Sequence, residues 1–312
     1  MRRLFLVIFV SILLFCSCSH ENTVPITEDE GMLGGSLRET VLYYATDEGY
    51  IIPVMRQIPW EEGIAACALS YLVASDENSN EALRRGVQTV IPEGTGFELK
   101  IDGDGNAKLD VQNMPMLPNA EAEQIFLQSV VNTLTEFESI ETVSMTFDGE
   151  RKESLHHGTA VDEEMRAFML NPVMTDMETM SNTDIYTVSF YVPDSRCVYN
   201  LPMTGYSSKG ANFSQAMDMF CKQSAAQNNG LPEDTHIISA EITDGVAVVN
   251  FSEEAETMST LGDGVFQSVY EAVYLTAAEY GEVNELKLYA GAKQLDCSSC
   301  SVSAPVYVNE WN

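Results

Sequence analysis

The sequence predicts an α+β protein made of two tandem copies of a β-α-β-β-α-β sandwich, helices covering one face of a small mixed or antiparallel sheet in each. Two observations carry this expectation. A motif is written twice: Ile91-Pro92-Glu93-Gly94-Thr95 recurs as Leu231-Pro232-Glu233-Asp234-Thr235, and each copy leads into two alternating strands around an Asp-Gly turn. The flanks of both copies carry apolar residues at helical three-to-four spacing. The 312 residues are 45% hydrophobic, enough apolar surface to build two cores against the entropy of the chain.

Taken from the N-terminus, Arg2 and Arg3 precede an apolar run from Leu4 to Phe15. That is the pattern of a secretory signal peptide over residues 1–17, and it is too short for a membrane span of about 20 residues. Ser17 supplies the small residue that a signal peptidase needs at its cut. Leu14-Phe15-Cys16-Ser17-Cys18 looks like a bacterial lipobox with Cys18 as the lipidated first residue of the mature chain, although Phe15 stands where Leu, Val or Ile is usual. Ordinary secretion, without a lipid, is the alternative. Residues 18–37 are acidic and polar and read as a solvated tether.

The first copy is expected over 38–150 and the second over 184–296. Val41-Leu42-Tyr43-Tyr44 and Val188-Ser189-Phe190-Tyr191 are matched as opening strands, each followed by a short extended piece that reaches Pro53 or Pro202. A helix follows, with Ile64, Cys67, Ala68, Tyr71 and Leu72 on its stripe in one copy and Phe213, Met217, Phe220, Cys221 and Ser224 in the other. In the hairpins, Phe97, Leu99 and Ile101 face Ala107, Leu109 and Val111 across Asp102-Gly103-Asp104-Gly105-Asn106. Ile238, Ala240 and Ile242 face Ala247, Val249 and Phe251 across Asp244-Gly245. A longer helix comes next, capped by Asn119 and striped from Ala122 to Phe137; its counterpart runs from Phe266 to Tyr280. Each copy closes with a strand, Val143 to Phe147 and Leu286 to Tyr289. The linker, 151–183, is expected to hold a helix at Val161 to Leu170, and Met174, Met177 and Met180 either to pack between domains, the favoured reading, or to offer an adaptable contact surface. Residues 297–312 form a tail.

Charge narrows the partners. With 16 Lys and Arg against 47 Asp and Glu, the net charge is −31, which excludes nucleic acid and disfavours anionic headgroups. Little in the chain carries chemistry. Asp102 to Asn106 alternates oxygen ligands like a calcium loop, but Ala107 and Asn113 stand where an EF-hand needs Gly and Glu, so a turn is the better reading. Cys297-Ser298-Ser299-Cys300 has metal or redox spacing without further zinc ligands, and outside the membrane a structural disulfide is expected, with Cys197 one partner among the alternatives. Cys67 and Cys221 read as small core residues. Gly205-Tyr206-Ser207-Ser208-Lys209-Gly210 lacks the spacing of a nucleophile elbow, and His156 and His157 read as solvated linker. No catalytic residue, cofactor or metal is assigned.

Tyr43-Tyr44 with Pro53, the Ile91 to Thr95 turn, Val131-Asn132-Thr133-Leu134-Thr135-Glu136-Phe137 and Phe147-Asp148-Gly149 together resemble the GerM family of sporulation and germination lipoproteins, which carry two such domains in tandem. In the second copy, Tyr274-Leu275-Thr276-Ala277-Ala278-Glu279-Tyr280 keeps the helix and little of the Asn-Thr-Leu-Thr motif. The resemblance implies a non-enzymatic protein on the outer face of the cytoplasmic membrane of a spore-forming Gram-positive bacterium, acting in the complex between mother cell and forespore. It also implies domains similar to ring-building modules. The partners are then other envelope or sporulation proteins, or further copies in a ring. A cell-wall glycan or a small ligand, bound in growing cells, is the alternative.

Overall fold

A computed structural model describes residues 37–60, 63–173, 184–227, 229–296, 300 and 309–311. The expected leader, and the tether up to Ser36, lie outside these residues, as do Met174, Met177 and Met180.

Repeat one opens with a hairpin of β1 (Leu37–Ala45) and β2 (Ile51–Pro59), followed by the short helices α1 (Ile64–Ser70) and α2 (Asp76–Arg84). Then come β3 (Gly96–Ile101), β4 (Asn106–Gln112), α3 (Ala120–Thr135) and β5 (Thr142–Phe147). Strands β3 and β4 pair antiparallel, and α3 crosses over so that β5 joins β4 in parallel. Repeat two has the hairpin β6 (Tyr186–Pro193) and β7 (Asn200–Ser207), then α4 (Phe213–Gln227), β8 (Ile237–Thr243) and β9 (Val246–Phe251). A 3-10 segment, Glu253–Thr260, leads into α5 (Asp263–Ala278) and the parallel strand β10 (Glu285–Ala290). Two-residue strands β11 (Lys293–Gln294) and β12 (Asn309–Glu310) close the chain. The α+β tandem read from the sequence is therefore present, with one strand more per repeat: the extended pieces before Pro53 and Pro202 are full strands paired along their length with β1 and β6.

Alternation decides what each strand buries. Ala107, Leu109 and Val111 of β4 and Val143, Met145 and Phe147 of β5 are at most 4% exposed and pack against Phe126, Val130 and Leu134 of α3. The edge strand β3 covers its apolar side only partly, and Ile101 is 44% exposed. Asn119 caps α3 by accepting the Ala122 N–H. In repeat two the Met219 side chain of α4 rests against Gly205 of β7, where a Cβ would force it to shift. Both repeats belong to one compact unit, Gly35–Asn312, with a continuous hydrophobic core.

Two expectations are corrected. The opening strands match with a shift of one residue: Tyr43 pairs with Pro53 and Tyr191 with Pro202, so Tyr43, not Tyr44, is the counterpart of Tyr191. A slip of one residue turns a strand over, and Tyr44 is fully buried on the opposite face. The linker helix at Val161 to Leu170 does not form. Its four-residue apolar spacing is real, and Val161 and Met165 are buried, but the backbone is taken by other partners. Met165 exchanges hydrogen bonds of 2.9 and 2.8 Å with Val143 at the edge of β5, and the Asn132 side chain grips the N–H and C=O of Phe168. These bonds replace an intrahelical ladder. Residues 151–173 thus wrap repeat one as an arm.

Candidate functional site

The hairpin of each repeat is tied to its long helix by the same pair of bonds. Tyr43 N–H donates to Thr133 Oγ1 at 3.1 Å and its hydroxyl donates to Glu136; Tyr191 N–H donates to Thr276 Oγ1 at 2.9 Å and its hydroxyl donates to Glu279. The second copy of the helix motif has lost its Asn and Leu, yet it keeps the Thr and Glu that make these contacts.

Of the chemistry-bearing residues, Cys18 and Cys297 lie outside the described residues. Cys300 is disulfide-bonded, and Cys197 is not its partner: it is a thiol. Burial, and then the nearby Asp194 carboxylate, push the Cys197 thiol up, which makes it a poor nucleophile. Cys221 is buried in α4 and its thiol is pushed up by burial; Cys67 is only half-buried. The Asp102 carboxylate is spent on its own turn, accepting the N–H groups of Asn106 and Asp104 and facing Lys108 at 3.2 Å. No group of three acidic, His or Cys residues fit to hold a metal occurs among the described residues. His157 is structural: its N–H donates to Glu123 Oε1 at 2.7 Å and its ring Nε2 lies 2.8 Å from the Leu117 carbonyl. Burial raises the Glu123 carboxyl, but the bonds from His157 and Thr159 win and hold it below the usual range.

Repeat one carries a cleft of about 440 Å³ where the β1–β2 turn meets the start of α3. Its floor is apolar (Val90, Ile91, Ala122, Ile125), its rim is acidic and polar (Asp47, Glu48, Glu121, Thr89), and none of its lining residues is basic. In repeat two a Cβ on Gly230 would come within 2.8 Å of Val265, 3.3 Å of Val269 and 3.6 Å of Cys197 Sγ, so the chain passes close against the start of α5 there. A second kind of surface is common to both repeats. Among the described residues, β3 and β8 each end a sheet with no strand paired along the outer edge, and Ile101 is 44% and Ile238 56% exposed. A register shift beside Ile238 bulges β8, whereas β3 is regular.

Sequence reasoning missed a cluster around the C-terminus. Trp311 stacks on Tyr44 with ring centroids 4.9 Å apart, and the guanidinium groups of Arg56 and Arg85 each lie 4.6 Å from its ring. Its indole N–H donates to Glu81, which also pairs with Arg56 at 2.7 Å and Arg85 at 3.4 Å. Burial raises the Glu81 carboxyl, but Trp311 and the two arginines outweigh it and keep it below the usual range. The available signal was composition: the chain has only two Trp, and one stands at its end. Among the described residues, no helix is long and apolar enough to cross a membrane.

A family model described as Germane, sporulation and spore germination, matches residues 41–153 and 182–296. The spore germination protein GerM of Bacillus subtilis is 27% identical over 261 residues, covering 81% of this chain and 71% of that protein. A solved structure of the tandem GerMN domains of the Bacillus subtilis sporulation protein GerM matches with a TM-score of 0.54 and 23% identity, covering 88% of this chain and 99% of that one. The first GerMN domain alone matches 41% of this chain and 97% of its own length, with 32% identity and a TM-score of 0.39.

Proposed function

The chain belongs to the Germane family of sporulation and spore germination, and from that premise we propose that it is a non-enzymatic scaffold or assembly factor of the envelope complex between mother cell and forespore. The observation that supports this best is that the family match spans both repeats. Cys18 is the residue on which a lipid anchors the chain to the outer face of the cytoplasmic membrane. Residues 19–36 then give the folded part a reach of at most about 60 Å when fully extended. The free edges of β3 and β8 are the surfaces offered to other envelope proteins. The test follows the protein through growth and starvation, with a tag in the Asp102–Gly105 turn, because Trp311 is packed on Tyr44. Signal confined to sporulation and concentrated at the engulfing septum supports the reading; uniform membrane signal in growing cells overturns it. Cys18→Ala is expected to move the protein from the membrane fraction into the medium.

The cleft of repeat one favours a second reading, a binding module for cell-wall glycan or a small ligand. Retention on purified peptidoglycan without any partner protein, abolished by Ala122→Trp, would select it.

A further inference from the structure

The segments that follow the two repeats, outside the family match, make one set of contacts twice. Asn171, in the left-handed region with φ 46°, enters the seam between β2 and β7. Its Oδ1 accepts the Ile51 N–H at 2.9 Å, and its Nδ2 donates to the carbonyls of Ile51 and Pro202, each at 2.8 Å. The backbone then runs parallel to β7, where Val173 N–H donates to the Thr204 carbonyl at 2.8 Å. Asn309 does the same with the repeats exchanged. Its Oδ1 accepts the Asn200 N–H at 2.7 Å, its Nδ2 donates to the carbonyls of Asn200 (3.0 Å) and Pro53 (3.1 Å), and β12 runs parallel to β2 with Trp311 N–H donating to Met55 at 2.9 Å.

Ile51 and Asn200 are the first residues of β2 and β7; counting along each strand, Pro53 corresponds to Pro202 and Met55 to Thr204. Each of these bonds made by one arm therefore has a counterpart in the other arm with the two repeats interchanged. That reciprocity is the mark of an isologous contact about an approximate two-fold axis.

We propose that residues 171–173 and 309–311 are reciprocally exchanged arms, each completing one repeat and capping the hairpin of the other, with Asn171 and Asn309 as the latches that hold the repeats as a closed pair. An isologous contact consumes both copies of its patch, so it ends at two repeats and cannot propagate. Side-by-side growth of repeats into an open array has no use for this face. Further copies or partner proteins meet the molecule elsewhere, at surfaces such as the free edges of β3 and β8.

The test is hydrogen exchange at single amides in the full chain. Asn309→Ala is expected to speed exchange at the Asn200 amide, in repeat two, about tenfold while leaving Ile51 unchanged, and Asn171→Ala to do the converse. Amides in the centres of α3 and α5 keep their protection in both variants. Unchanged exchange at Ile51 and Asn200, or acceleration confined to the arm that carries the substitution, overturns the proposal. Should Asn309→Ala fail to fold, Asn309→Asp retains an oxygen for the Asn200 N–H and loses only the bonds to the two carbonyls. A separate readout leaves both latches intact: in Trp60→Phe, Trp311 is the one remaining Trp. Emission shielded from acrylamide supports a docked arm, and quenching as strong as in a free peptide of residues 300–312 overturns it.

Discussion

Thr133 and Thr276 each accept a hydrogen bond from a buried backbone N–H of an opening strand, those of Tyr43 and Tyr191. Replacing either by Val preserves shape and removes that acceptor, so urea unfolding should show a loss of about 1 kcal/mol for each variant. Glu81 and Glu123 contribute to the acid sensitivity of the molecule. Both carboxyls are held below their unfolded range, Glu81 by Trp311, Arg56 and Arg85, and Glu123 by His157 and Thr159, against a burial that raises them. Depressed carboxyls contribute stability above the usual carboxylate range and lose it as pH falls through their folded values. Stability against pH should therefore decline on acidification, with a shallower decline in Glu123→Gln. Loss of Glu81 ionisation should also loosen Trp311, seen as quenchable emission in the Trp60→Phe background. The sequence showed Glu123 as one more first-turn acid of a helix. Its burial depends on residues some 34 positions away, which no local pattern reveals.

At the scale of elements, α3 and its cap were legible because cap, charge and stripe all point to one helix. Asn119→Ala removes the bond to the Ala122 N–H and should lower stability by about 1 kcal/mol, while Leu134→Ala, at a fully buried site, should cost about 2–5 kcal/mol in the same unfolding measurement. The arm at Val161 to Leu170 misled for the opposite reason. Its apolar spacing fits a helix, but a strand edge and the Asn132 side chain take up its backbone groups, and helical spacing at two or three positions is a weak signal against that. The hairpin match also failed by a residue, since Val41 to Tyr44 align by letter better with the wrong register, and only strand pairing distinguishes Tyr43 from Tyr44. Edge strands carry a testable consequence: Ile101→Lys on regular β3 should weaken association with other envelope proteins in a pull-down without changing the midpoint of unfolding.

The whole molecule is dominated by its charge. At −31, copies or acidic partners repel one another at long range, so any self-assembly should strengthen as salt rises, measured by sedimentation across ionic strength. Assembly that is strongest at low salt would point instead to a basic partner or a bound cation. The sequence by itself determined the duplication, the α+β class, the long helices and the family resemblance. Each of these is written in local periodicity, in composition or in a motif that occurs twice. Only the tertiary structure decided that the linker and the tail are equivalent arms, that Trp311 sits among Arg56, Arg85 and Glu81, and that a cleft opens in repeat one between the β1–β2 turn and α3. Those features come from contacts between residues as far apart as Pro53 and Asn309, where single Asn side chains decide the outcome and leave no period behind.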